Sequence, residues 1–239
     1  MSPRSTFTMV VTVLVALLFT ATRCSSQEDY DAARRAMVKE QLEGRDIRDP
    51  RVLEAMGLVP RHLFVPAALR VGAYADHPLP IGNGQTISQP YIVALMTQLA
   101  EVEPDDVVLE IGTGSGYQAA VLSEIVREVY TIEIVPELAE TAKARLAELG
   151  YRDVTTRMGD GYLGWKEKAP FDAILVTAAA PEVPPPLVEQ LAPGGIMVIP
   201  VGPPANVQSL VRIEKEEDGT TVSREVLPVR FVPLVRQRK

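Results

Sequence analysis

Cysteine and histidine are almost missing from this 239-residue chain, which holds one cysteine, Cys24, and two histidines, His62 and His77. A lone cysteine excludes a disulfide framework and leaves the redox compartment unmarked. With so few soft ligands, no metal site is expected. A basic face is missing as well. Lysine and arginine number 24 against 31 aspartate and glutamate, a net charge of -7 that argues against a general nucleic-acid binder. There is no internal repeat and no low-complexity tract. What is present is ordinary for a globular α/β domain with additions, large enough to bury a substantial core. The 20 prolines gather at Pro184–Pro186, at Pro203-Pro204 and ahead of strand-like runs, so they read as turn punctuation.

The first residues need separate treatment. Arg4 precedes an apolar run from about Met9 to Ala21, which is followed by small and polar residues through Ser26. The run is short for a membrane span and has the layout of a secretory signal peptide, so residues 1–26 are set apart as a leader-like segment. Cys24 directly behind the run suits lipid modification, but Arg23 stands where that processing wants a small residue. The bland alternative is an N-terminal extension ahead of a cytosolic enzyme. Arg23, Arg34, Arg35 and Lys39 outnumber the basic groups before the run, so charge asymmetry fixes no orientation. Localisation stays open between the cytoplasm and the periplasm.

Residues 27–239 read as one domain in three stretches: 27–100, 101–202 and 203–239. In the first, Tyr30–Leu42, Asp49–Met56 and Gln89–Leu99 have helical spacing, while Val59–Ile87 is rich in proline and glycine and reads as a long loop. Loops of that length inside a compact domain tend to be functional. The second alternates. Strands are expected at Val107–Ile111, Val129–Ile134, Val154–Met158, Ala173–Val176 and Ile196–Val201, with helices at Tyr117–Val126, Pro136–Leu149 and Pro186–Leu191. This pattern predicts a Rossmann-like, doubly wound, mostly parallel sheet covered on both faces. In the third stretch, Ser209–Lys215, Thr221–Leu227 and Val229–Val235 read as antiparallel strands, the first two joined by a hairpin at Asp218-Gly219.

The most informative segment is Val107–Gly116. An apolar strand ends in Glu110 and turns through Gly112, Thr113, Gly114 and Gly116 into a helix, which brings backbone N–H groups against a ligand. Dinucleotide fingerprints space their glycines G-x-G-x-x-G; here the spacing is G-x-G-x-G. A carboxylate at Glu110 would repel a pyrophosphate and suits a cationic amine, such as that of S-adenosyl-L-methionine (SAM). Glu133, at the end of the next strand, can accept from both ribose hydroxyls. Gly159-Asp160-Gly161 follows the third strand, with Asp160 a candidate acceptor for the adenine amine or an ordinary Asp-Gly turn.

A second set of motifs names the acceptor. Ala73–Pro78 and Pro80–Pro90 (PIGNGQTISQP) are followed by Leu109–Ala120 (LEIGTGSGYQAA), Gly159–Gly161, Pro170–Ala179 (PFDAILVTAA), Pro193–Gly202 (PGGIMVIPVG) and Val229–Val235 (VRFVPLV). In that order the chain resembles the protein-L-isoaspartate (D-aspartate) O-methyltransferase family from about Tyr30 to Val235. It departs at Ala180, where the family often has proline. The resemblance implies methyl transfer from SAM to the free α-carboxylate of L-isoaspartyl residues in damaged proteins and peptides. The ester re-forms the succinimide and so starts repair. It further implies residues 27–100 as the substrate-binding region, Ser88 as the catalytic residue, and Thr86, Ile87, Ser88, Thr177 and Val232 against the substrate. The expected partners are isoaspartyl proteins and peptides met by a monomer, with no nucleic acid and no stable membrane partner unless the leader-like segment is retained. Two other functions remain open on the residues: a SAM enzyme with another carboxylate acceptor, and a non-catalytic SAM-binding module. Read without the family, Ser88 is equally an N-cap for Gln89–Leu99. Neither histidine is required, because a carboxylate is already ionised at neutral pH and needs no strong base.

Overall fold

The computed structural model describes residues 29–203 and 206–236. The leader-like segment and Cys24 lie outside the described residues. No helix among the described residues is long and apolar enough to cross a membrane.

The β-branched and apolar runs form one seven-stranded sheet. Strands β3 (Val107–Ile111), β4 (Glu128–Glu133), β5 (Val154–Met158), β6 (Phe171–Val176) and β7 (Leu191–Val201) are joined in parallel, and β8 (Gln208–Lys215) and β9 (Thr221–Val229) add antiparallel, in the order β5-β4-β3-β6-β7-β8-β9. Two short strands, β1 (Leu79–Gly82) and β2 (Gln85–Ile87), make a separate hairpin. Successive strand residues point to opposite faces. Val108 and Val129 pack with helices α2 (Pro50–Leu58), α3 (Pro90–Leu99) and α4 (Tyr117–Ser123), whereas Leu109, Ile111 and Ile132 pack with Leu187 of α6 (Pro185–Gln190). Helix α5 (Pro136–Glu148) sends Leu146 into the first cluster. The first helix, α1 (residues 29–43), ends as a π-helix over Met37–Glu43.

The strand order reverses at β3, between β4 on one side and β6 on the other. Crevices at the carboxyl ends of strands at such a switch point are where open α/β sheets take ligands.

Two expectations need correction. Val59–Ile87 is not an unstructured loop, because it folds into 3-10 turns at Arg61–Phe64 and Ala67–Gly72 and the β1–β2 hairpin. Such short elements carry no long apolar period to read. Val229–Val235 is not a strand. Val229 pairs with Gln208, the first residue of β8, so the chain beyond Val229 has no β8 residue left to pair with. It bends away instead. Phe231 N donates to Gln208 Oε1 (3.0 Å), and Val232 O and Leu234 N bond to Ala179 at 2.8 Å each.

Candidate active site

A cleft of about 780 Å³, counting its open mouth, lies at the carboxyl ends of β3, β4 and β6. From the β3 turn come Glu110, Gly112, Thr113 and Gly114; β4 supplies Glu133; Gly161, Thr177 and Val232 close the far side. Thr86, Ile87 and Ser88, from β2 and the residue after it, line the cleft as well. Gly116, Gly159 and Asp160 are not in the lining. Gly116 is the N-cap residue of α4 and faces Leu146, and the Asp160 carboxylate accepts from Tyr162 N (2.9 Å) in the turn that follows β5.

Local chemistry explains the shape. Gly112 has φ near 100°, and a Cβ there would sit 2.6 Å from the Thr177 hydroxyl. That hydroxyl donates to Gly112 O (2.7 Å), with Ile111 O at 3.1 Å, so β6 clasps the turn and Thr177's proton is spent. On the other side Glu133 ties the turn to β4. Its Oε2 accepts from Gly114 N (2.7 Å), and its Oε1 from Ile134 N and Val135 N (2.9 Å each). Three of the roughly four lone-pair sites of the carboxylate are thus engaged, leaving about one for a ligand. Gly161 is needed for close approach, since a Cβ would overlap Ile111 Cγ2.

Glu110 is the electrostatic centre. It is 0 % exposed, its Oε2 accepts from the Thr131 hydroxyl (2.5 Å), and its Oε1 has no partner among the described residues. Burial, with the Glu133 charge adding to it against the Thr131 bond, pushes the carboxyl up to about 8. The lining includes no lysine, arginine or histidine. A buried acceptor left open in a cleft without cations calls for a ligand that brings its own positive charge.

Ser88 sits at the rim with its hydroxyl unbonded among the described residues. It is not the N-cap of α3, which is Gln89, with Pro90 at the first helical position and no side-chain cap bond. The loop is held through its backbone. Arg61 is 0 % exposed and donates from Nη2 to Ser88 O and from Nε to Ala73 O, both at 2.7 Å. Its guanidinium lies 4.8 Å over the Tyr117 ring, and burial draws it below the usual arginine range. The sequence reading missed Arg61, although a lone charge inside the apolar Val59–Val65 was a signal. It missed Thr131 too, a polar residue in the β4 run. Neither histidine reaches the cleft. His62 is buried, stacked on Tyr30 and bonded to Tyr74 Oη (2.8 Å), and burial, reinforced by Arg34 and Arg70, lowers it to about 4. No cluster of metal-ligating side chains occurs among the described residues.

Known proteins resemble this chain in sequence and in fold. The family model "Protein-L-isoaspartate(D-aspartate) O-methyltransferase" matches residues 32–239. "Protein-L-isoaspartate O-methyltransferase 2" of Syntrophobacter fumaroxidans is 56% identical over 98% of both chains, and its namesake from Polaromonas sp. is 61% identical over 82% of this chain and 92% of that one. Among solved structures, one protein-L-isoaspartate O-methyltransferase superposes with a TM-score of 0.75 at 30% identity, covering 84% of this chain and 65% of that longer one. A Plasmodium falciparum protein assigned to the same enzymes and solved with S-adenosyl-L-homocysteine (SAH) gives 0.74 at 27% identity, over 85% and 99%. With the β3 cradle, the serine rim and the family match extending over nearly all the described residues, the chain belongs to the protein-L-isoaspartate(D-aspartate) O-methyltransferase family.

Proposed function

We infer that this chain transfers the methyl group of SAM to the free α-carboxylate of L-isoaspartyl residues in damaged proteins and peptides. The ester then re-forms the succinimide and opens the way back to aspartate. The observation that carries this reading is the open, buried oxygen of Glu110 in a cation-free cleft that also includes Ser88.

The donor fits the residues. Glu110 Oε1 would take the ammonium of the cofactor's aminocarboxypropyl arm, Glu133 its ribose, and the Gly112–Gly114 backbone would lie against it. When bound, SAM supplies a methyl group on a cationic sulfur. The acceptor is an ionised carboxylate, so its C–O bond forms as the C–S bond breaks and no proton has to move. The side chains then need only hold oxygen, carbon and sulfur in line and keep water out. Ser88, with its hydroxyl uncommitted, donates to one carboxylate oxygen and turns the other toward the methyl group. Thr86, Ile87 and Val232, which line the same cleft, would lie against the acceptor.

Labelled SAM offered to paired peptides that differ only in Asp versus isoAsp tests the reading. Label is expected on the isoAsp peptide alone, as a base-labile ester. Equal labelling of both, or of neither, overturns it.

A further inference from the structure

We propose that Thr131, backed by Thr113, is a positioning residue that fixes one oxygen of the buried Glu110 and presents the other to the cofactor's ammonium, and that Glu110 gives up a proton as that ammonium arrives, so that cofactor binding expels one proton. This rests on the SAM reading above.

The geometry begins with sheet register. Glu110 and Thr131 are direct partners across β3 and β4, so their side chains leave the same face side by side. Both are 0 % exposed, and Thr113 is buried as well. Thr131 Oγ1 donates to Glu110 Oε2 at 2.5 Å, which commits its only proton. The 2.7 Å bond between Thr113 and Thr131 must therefore run from Thr113 to Thr131. This relay orients one carboxyl oxygen and leaves Oε1, without a partner, to the cleft.

The surroundings decide the protonation state. The titratable side chains lining the cleft with Glu110 are Glu133 on β4 and Tyr117 on α4. Glu133 disfavours a second negative charge, and burial keeps the Tyr117 phenol neutral. Helix α3 contributes Val93, the segment after β6 contributes Thr177 and Ala178, and the C-terminal segment contributes Val232–Val235, none of which ionises. No ion pair to Glu110 occurs among the described residues. One hydroxyl donor does not offset the desolvation of a buried carboxylate, so Glu110 holds a proton at neutral pH. An entering ammonium reverses the balance. The Glu110 O–H bond breaks, its proton goes to solvent, and N–H···O bonds form to the carboxylate.

SAH carries the same ammonium arm and does not react, so its binding tests the proposal without turnover. Calorimetry at pH 6.5 in buffers of low and high ionisation enthalpy counts the protons. About one proton released per SAH is expected, with affinity rising about tenfold per pH unit toward neutrality and levelling near pH 8. Thr131→Val is expected to weaken SAH about tenfold or more, and Thr131→Ser to restore it. Glu110→Gln is expected to bind weakly with no proton released. Tight SAH binding to the wild type with the same enthalpy in both buffers overturns the proton coupling and leaves the cofactor assignment standing. No SAH binding to the folded wild type overturns both.

Discussion

The two walls of the cleft are built on different principles. The cofactor wall belongs to the sheet. β3 is paired on both sides, to β4 and β6, so register fixes Glu110 beside Thr131, and Glu133 and Thr177 grip the glycine turn from opposite sides. The acceptor wall belongs to no large sheet. It is Gln85–Ser88, from the small β1–β2 hairpin and the residue after it, and the buried Arg61 of the first 3-10 turn bonds the Ser88 and Ala73 carbonyls. Redundant anchoring suits a surface that must hold one small molecule in one pose. A rim held by a two-stranded hairpin and the Arg61 bonds, with the serine hydroxyl left unbonded, suits a surface that meets isoaspartyl sites in differing surroundings. The contrast leads to the expectation that cofactor binding and turnover can be altered separately.

Substitutions on each wall test that separation. Gly112→Ala, on the cofactor wall, places a Cβ 2.6 Å from the Thr177 hydroxyl at a φ near 100°. Backbone strain alone costs about 1–3 kcal/mol, so SAH affinity measured by calorimetry is expected to fall by about a hundredfold. On the acceptor wall, Ser88→Ala removes a donor that bonds nothing in the fold. Turnover of an isoaspartyl peptide is expected to drop by about a hundredfold, with SAH affinity and melting temperature unmoved. A parallel fall in SAH affinity would erase the distinction between the walls. Arg61→Met breaks the anchor to Ser88 O and Ala73 O. It is expected to lower the melting temperature and to cut kcat by about tenfold while SAH affinity in the folded fraction stays within about twofold.

A separate effect, read by pH and not by activity, is on the stability of the cofactor-free protein. The Glu110 carboxyl rises from 4.5 to about 8 on folding, so between these values the folded state binds the extra proton. Stability is therefore full below about pH 4.5 and declines as pH rises toward 8. Glu110→Gln cannot ionise. Its melting temperature is expected to lack this decline, and equal slopes for the two proteins between pH 5 and 8 would count against a protonated Glu110.

Much of the cofactor wall was legible in the residues. Glu110, the glycine spacing and Glu133 are adjacent in sequence to the strands that carry them, and strand–turn–helix chemistry is local. The parallel sheet followed from alternating periods for the same reason. Asp160 and Gly159 illustrate the limit. Their motif is visible, but only the path of the turn after β5 brings Gly161 to the cleft and leaves its two predecessors out of the lining. The C-terminal segment is another case, for Val229–Val235 has strand-like composition and loses its strand because β8 begins at Gln208.

The sequence by itself determined the fold class, the cationic character of the cofactor and the loop that bears Ser88, since each depends on neighbours a few residues apart. Tertiary structure alone decided that Ser88 is no helix cap, that Arg61 holds its carbonyl, and that Thr131 stands against Glu110. Those contacts join residues about 20 to 30 positions apart. Strand register and burial place them, and neither quantity is written in any local stretch of the chain.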